Sequence, residues 1–473
     1  MSDRLRHVLR VVSVVALLTA AICSGCGGQS DSCPGCSSDC PAGLSMCAQQ
    51  CVITSLDPAN CGTCGNACLA GQFCVSGTCS YECPPGQTLC GDDAGPVLCS
   101  DVQNDTANCG SCGNACSTNH TASTCVAGKC TLIACAAEYA DCNSVATDGC
   151  ETALLSDAKN CGRCGHDCCG GICFGGVCQP FSLTSGVGNS QWLVVDSKNV
   201  YWTTGYNFAD IWSCPVGGCK APTTLAKGTS PISVALDGTS LYWTDQAYFG
   251  NAGVYACSTT GCNNTPTPLI TNQSAPTGIA VDASNVYWTN AGTGTDGTIK
   301  LCDKASCSSV TTFATEQTFP NRIAVDASML YWTSADTVRS WWKNGFAGNT
   351  SADVILSGQG VVDLALDSTS LYWANVTSTE STVKRCALGS CGGTTVTLAA
   401  GQGDLGRIAL DTQNVYWLNK AYAGAVLACA KSGCNSPTVL ASGQKNPSGI
   451  AVDDACVYWV NSATGEVFRV AKP

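Results

Sequence analysis

IAVDASNVYWTN, residues Ile279 to Asn290, decides the fold, because the chain writes it seven times. The copies begin LVVDSKNVYW at Leu193, VALDGTSLYW at Val234, IAVDASNVYW at Ile279 and IAVDASMLYW at Ile323. LALDSTSLYW at Leu364, IALDTQNVYW at Ile408 and IAVDDACVYW at Ile450 complete the set. Their aspartates, Asp196, Asp237, Asp282, Asp326, Asp367, Asp411 and Asp453, are spaced by 41, 45, 44, 41, 44 and 42 residues. A repeat of about 40–45 residues built from short strands is the signature of propeller blades.

Each copy reads as four strands. In the first, Ile279 and Val281 face one side and Ala280 the other, and a small residue recurs at the Ala280 position where innermost strands crowd an axis. Asp282 opens a tight turn, its carboxylate able to bond the backbone two residues on. The second strand, Val286-Tyr287-Trp288, puts rings on both faces, where neighbouring blades pack. A third strand and a short apolar fourth follow. Fourth strands are expected around Leu225, Leu269, Phe313, Ile355, Leu398 and Leu440, but the seventh copy stops at Pro473 after its third. The missing strand is found earlier, as Phe181-Ser182-Leu183-Thr184-Ser185-Gly186. The expectation is therefore an all-β, seven-bladed propeller over 180–473, closed by an N-terminal strand.

Forty cysteines are the outlier of the composition. Within the repeats, C-x4-C pairs Cys214/Cys219, Cys257/Cys262, Cys302/Cys307, Cys386/Cys391 and Cys429/Cys434 are expected to flank the turn between third and fourth strands. Facing side chains there are close enough for disulfides, and no further ligands stand nearby for a metal. Residues 40–179 hold three modules of eight cysteines, with clusters NCGTCGNAC, NCGSCGNAC and NCGRCGHDC. Thiolates so closely spaced could chelate zinc or an iron–sulfur cluster. Few large apolar residues and an even cysteine number favour a disulfide scaffold instead. Its pairing is open, since eight cysteines admit 105 connectivities. His166, in the third cluster, is expected to be an exposed side chain and not a ligand.

Arg4, Arg6 and Arg10 followed by the apolar run Val11 to Ile22 read as a signal peptide over 1–25. The box CysSerGlyCysGlyGly at 23–28 resembles a bacterial lipoprotein cleavage site with Cys26 as the acylated residue, although Cys23 stands where leucine is usual. Ordinary cleavage nearby, giving a free secreted protein, is the alternative. Residues 26–39 form a linker. After the modules, the hairpins, Cys23 of the signal and Cys26 are counted out, Cys33, Cys36, Cys169 and Cys456 remain. Cys456 lies in the turn between the first two strands of blade seven, on the face where the Cys178 end of the modules enters. A Cys169–Cys456 disulfide with a local Cys33–Cys36 pair is the expected arrangement.

A net charge of −12 argues against a nucleic-acid partner or an anionic membrane surface held by charge. His7, His120 and His166 all precede the propeller, so no histidine acid–base or zinc site can be built from it. The repeated aspartates occur in every blade, which marks a turn role. No cofactor is expected; structural calcium in a central channel stays open, without a nameable ligand set. Blade four departs from the pattern: Arg339-Ser340-Trp341-Trp342-Lys343 stands where other blades have their first cysteine. Trp341 and Trp342 could grip a glycan or peptide, or Trp341 could pack into the gap left by the absent disulfide.

The seven Tyr-Trp pairs, with Tyr242-Trp243-Thr244-Asp245 the one complete YWTD, resemble the YWTD propellers of the low-density lipoprotein receptor class, and more loosely NHL-type propellers. The receptor class has six blades and lacks these cysteines. The modules resemble cysteine-rich repeat arrays of secreted and surface-anchored bacterial proteins. These resemblances imply an exported, lipid-anchored cell-surface protein of the outer membrane or cell surface. They imply a disulfide-rich stalk and a propeller that binds an extracellular protein or polysaccharide without catalysis. A metal-dependent, lactonase-like enzyme and a purely structural envelope component are the alternatives.

Overall fold

The computed structural model describes residues 40–69, 71–91, 98–186, 188–205, 209–227, 230–246, 251–343, 352–358 and 360–473. The signal segment, Cys26 and the Cys33–Cys36 pair lie outside the described residues. Two compact units are present. One runs to Ala115 and takes in Cys125–Lys129; the other comprises Cys116–Thr124 and Cys130–Pro473. The third cysteine module therefore belongs to the same unit as the propeller.

Seven four-stranded antiparallel sheets follow one another, each in sequence order except the last. Blade three is representative, with strands Pro276–Val281, Asn285–Asn290, Gly297–Asp303 and Val310–Gln317. The seventh sheet has Pro447–Val452, Cys456–Asn461 and Glu466–Ala471, and takes Phe181–Thr184 as its outer strand. Phe181 sits opposite Arg469 and Ser182 opposite Phe468. The ring is thus closed by hydrogen bonds between the two ends of the propeller sequence. The only helix among the described residues, Cys391–Thr394, is one turn long, so among these residues no helix is long and apolar enough to cross a membrane.

The aromatic pair of each copy makes the core. All seven repeat tryptophans, Trp202, Trp243, Trp288, Trp332, Trp373, Trp417 and Trp459, are fully buried. Tyrosine of one blade and tryptophan of the next share a cluster, as with Tyr201 and Trp243, Tyr242 and Trp288, Tyr287 and Trp332. Tyr372 with Trp417, and Tyr416 with Trp459, continue the series. The rings are mortar between blades.

The repeated aspartate does more than turn the chain. Asp282 Oδ1 accepts the backbone N–H groups of Ser284 and Asn285 at 2.9 and 2.8 Å, while Oδ2 accepts the Tyr287 hydroxyl at 2.7 Å. The same Asp–Tyr bond recurs in all seven blades, between 2.7 and 3.2 Å. Burial, reinforced by the aspartate, raises every one of these phenols; Tyr201 is pushed up to about 12. Because the folded state favours the protonated phenol, its contribution is complete below the unfolded value of about 10 and is lost as pH rises through the folded value. In a tyrosinate absorbance titration, these seven of the 13 tyrosines should stay un-ionised at about pH 11 and ionise together with unfolding. Independent ionisation of all tyrosines near pH 10 with the fold intact would contradict this.

All three modules use one connectivity: first to third cysteine, second to fifth, fourth to seventh, sixth to eighth. Module one shows it as Cys40–Cys51, Cys47–Cys64, Cys61–Cys74 and Cys68–Cys79. Modules two and three repeat it, for example as Cys90–Cys112 and Cys142–Cys164. The glycine of each NCG explains itself. A side chain on Gly62, Gly110 or Gly162 would meet the carbonyl oxygen of Gly77, Gly128 or Gly176 within 2.7 Å, at a positive φ as well.

Candidate functional site

The five C-x4-C pairs are closed as disulfides, Cys214–Cys219, Cys257–Cys262, Cys302–Cys307, Cys386–Cys391 and Cys429–Cys434, with Cα separations of 4.9–5.8 Å. Their placement corrects the expectation of side chains facing each other from the third and fourth strands. The first cysteine of each pair lies near the end of a third strand. The second does not reach the fourth. Cys219, Cys262, Cys307 and Cys434 lie inside the connecting turn, and Cys391 starts the one-turn helix. The physical reason is loop length. Fourth strands begin only at Thr223, Thr267, Val310, Val396 and Thr438, so each bond folds the turn back onto its own strand.

The backbone of these turn cysteines is held separately. The Cys307 N–H donates to the Asp303 carbonyl at 2.9 Å, and the Cys219 N–H to the Leu183 carbonyl at 3.0 Å. The cystines also cover the outer strand of the preceding blade. The Cys257 and Cys262 sulfurs lie 4.0 and 3.4 Å from the Leu225 carbonyl oxygen, and the Cys434 sulfur lies 3.9 Å from that of Leu398. In blade four, Trp341 pairs with Leu330 as Cys302 pairs with Val286. Its ring tilts against Phe313 of the preceding outer strand at 5.0 Å, so it fills the cystine's place, while Trp342 is exposed. Trp341→Ala should lower unfolding free energy by about 2–3 kcal/mol in denaturant melts, leaving ligand binding untouched. A stability unchanged from wild type would show that the ring carries no packing.

Cys169 and Cys456 are joined, with Cα atoms 6.3 Å apart. Cys456 opens the second strand of blade seven instead of lying in the turn before it. Around this bond, the module-three cystines share a core with Leu183, Val457 and Val470 of the propeller. His166 corrects the expectation of an exposed side chain. It is half-buried, with Nδ1 2.6 Å from the Cys161 carbonyl and Nε2 2.8 Å from that of Lys472. It takes the place of Asn66 and Asn114, whose amides donate to the Cys61 and Cys109 carbonyls in the other modules. The sulfurs that cluster as potential metal ligands, such as Cys161, Cys168 and Cys178, are committed to neighbouring disulfides.

Four lysines tie blades together through the repeated aspartates. Lys304, Lys343, Lys431 and Lys472, each just past the third strand of its blade, reach Asp237, Asp282, Asp367 and Asp411 of the blade before, at 2.6–3.0 Å. Burial alone would raise these carboxyls. Hydrogen bonds from the lysines, from the turn N–H groups and from neighbouring hydroxyls outweigh it and hold all four below the usual carboxylate range. This array is structural.

A different ring of residues carries chemistry. Every blade has a register shift in its innermost strand, in the short stretch that leads into the aligned repeat. A bulge of this kind re-aims side chains. The threonine of the YWT motif accounts for the spare backbone donor: Thr203, Thr289 and Thr333 hydroxyls accept from Trp192, Gly278 and Arg322 N–H at 2.7–3.2 Å. Around the axis the position just before the repeat holds Trp192, Ser233, Gly278, Arg322, Asp363, Arg407 and Gly449, of which Ser233, Asp363 and Gly449 are already back in register with the second strand. Four of these converge across the channel. The Arg407 guanidinium lies 3.4 Å from the centre of the Trp192 ring and that of Arg322 5.0 Å from it. Asp363 is fully engaged, with Oδ1 3.0 Å from Arg322 Nε and Oδ2 accepting the Ile408 N–H at 2.9 Å. Arg407 Nη1 is buried with no hydrogen-bond partner among the described residues. Burial and the Arg322 charge both act against the charged form of Arg407, with Asp363 opposing them.

This layer separates two cavities. Toward the aspartate turns, about 390 Å³ is lined mainly by the aliphatic residues of the innermost strands. Toward the opposite face, about 420 Å³ opens among Asn189, Gln191, Lys420, Asn446, Ser448 and Ser462 above the two arginines. The second face is built by the beginnings of first strands and the ends of second strands, away from the Cys169–Cys456 bond. Nothing in the aligned motif points to this ring. The signal lay in the residue just before it, the one position where the copies disagree most in charge and size.

The family model described as "Stigma-specific STIG1-like protein family" matches residues 16–82, which span the first cysteine module and the residues before it. No curated protein sequence matches the chain. Among solved structures, selenomethionine-substituted virginiamycin B lyase from Staphylococcus aureus is 13% identical, covers 62% of this chain and 99% of its own, and has a TM-score of 0.50. A catalytically inactive histidine-to-alanine variant of that lyase with quinupristin gives 12%, 62%, 99% and 0.50. A nidogen/laminin complex is 17% identical over 47% of this chain and 86% of its own, with a TM-score of 0.37. At such identities the likeness to the lyase is one of fold.

Proposed function

We propose that this is an exported protein of bacterial type, lipid-anchored through Cys26, whose propeller binds an extracellular protein or polysaccharide without catalysis. One observation carries the reading. Among the described residues, the ring in which the blades diverge faces the channel and offers cations and a tryptophan below a rim of amides, with its only carboxylate already bonded on both oxygens. A general acid or base needs a free, titrating group at the reacting atom, and residues 180–473 contain no histidine. The eighteen disulfides among the described residues fit an oxidising compartment.

The test applies the full chain to arrays of envelope polysaccharides and to surface-protein extracts, then weighs what is captured. Capture of one polymer or protein with unchanged mass is expected. Processing of the captured molecule would overturn the non-catalytic reading, and no capture would overturn binding. Cys26→Ser should release the protein from the membrane fraction; retention there would remove the lipid anchor.

A further inference from the structure

We infer that the channel mouth above the Trp192–Arg322–Arg407 layer binds an acidic monosaccharide unit, its carboxylate held by the two guanidiniums and its hydroxyls by the polar rim. The inference deepens the binding reading and rests on it. Its first support is charge. Arg322 and Arg407 face one carboxylate, Asp363, which leaves one positive charge in the layer; at the rim Lys420 stands 3.6 Å from Asp404, a pair that cancels. A single carboxylate neutralises the surplus, whereas a phosphate dianion overshoots it.

The second support is the unpaired donor. Stacking on Trp192 satisfies the face of the Arg407 guanidinium but not the Nη1 N–H groups in its plane. Leaving a buried charged donor unmade is costly, and the planar fork of arginine matches a carboxylate. Arg322 is better provided for, with contacts to Asp363, Asn321 and the Val362 carbonyl. Arg407 is thus the group that awaits a partner.

The third support is the wall. Above the arginines, the amides of Asn189, Gln191 and Asn446 and the hydroxyl groups of Ser448 and Ser462 line a space of about 420 Å³, within the size range of small-ligand sites. Such dense donors and acceptors suit a sugar better than an apolar acid.

Calorimetric titration of the full chain with glucuronate tests this, with glucose and inorganic phosphate as comparators. One glucuronate per chain is expected, at least tenfold tighter than either comparator. Arg407→Gln should weaken glucuronate at least tenfold while Tm stays the same or rises, since an unpaired buried charge is removed. A fall in Tm with glucuronate affinity unchanged would make Arg407 a structural plug and overturn the inference. So would phosphate binding as tightly as glucuronate, or no glucuronate binding. An oligosaccharide ending in glucuronate that binds tighter than the free sugar assigns the site to a polysaccharide end; equal binding assigns it to the free sugar acid. If glucuronate fails while the chain still captures a partner from the arrays, only this inference falls. If both fail, the binding reading falls too.

Discussion

Replacing Cys169 and Cys456 together by serine should lower the unfolding free energy by about 2–5 kcal/mol. The bond spans 287 residues, and the loop-entropy penalty it removes from the unfolded chain grows with that length. The upper end of the range applies if nothing else held the two ends. The lower end applies because Phe181–Thr184 already pairs with Glu466–Ala471 and the Lys472 carbonyl meets His166. Equilibrium denaturation of the double variant against wild type, both oxidised, measures the difference. A loss below about 0.5 kcal/mol would mean that strand pairing alone closes the ring.

Asp282→Ala should cost about 2–4 kcal/mol, more than any ordinary surface substitution, because it leaves the half-buried Lys343 ammonium without its anion. It also strips acceptors from the Tyr287 hydroxyl and from the Ser284 and Asn285 N–H groups. Lys343→Met keeps volume and removes the opposing charge, so the double variant should recover part of the loss. A coupling of about 0.5–3 kcal/mol in the cycle is expected; additive losses would show that the pair is not coupled. The same carboxylate sets an acid limit. Its hydrogen bonds depress its folded value against the pull of burial, so its contribution is complete above the unfolded value of about 4 and is lost as pH falls through the folded one.

The fold was legible because each blade must show the same two faces to its neighbours. That requirement repeats Val286, Tyr287 and Trp288 in recognisable form, and it exposes the missing outer strand at Phe181–Thr184 as a gap in a series. Counting thiols left Cys169 and Cys456 over, and the structure joins them. Spacing also paired the hairpin cysteines, but not their seats: Cys219, Cys307 and Cys434 stop in the turn because strand limits depend on ladder hydrogen bonds, which a C-x4-C spacing does not encode. The connectivity inside the modules was not legible, since backbone geometry selects one pairing among many that spacing permits. His166 was misread for want of its partner: the Lys472 carbonyl is 306 residues away in sequence. The arginine layer was hidden for a subtler reason. A bulge decides where Arg322 and Arg407 aim, and a bulge leaves no mark on a pattern of apolar alternation.

The span of the disulfides also imposes an order of events. Of the eighteen among the described residues, seventeen close loops of 5–22 residues, so in a chain released amino end first each can form almost as soon as its second cysteine emerges. The eighteenth cannot. Cys169 has to wait, as a lone thiol beside finished cystines, until 287 further residues have appeared and Cys456 arrives with the last blade. Closure of that bond therefore reports that every blade has been delivered, and a chain stalled midway carries a reactive sulfur by which a quality-control thiol can hold it.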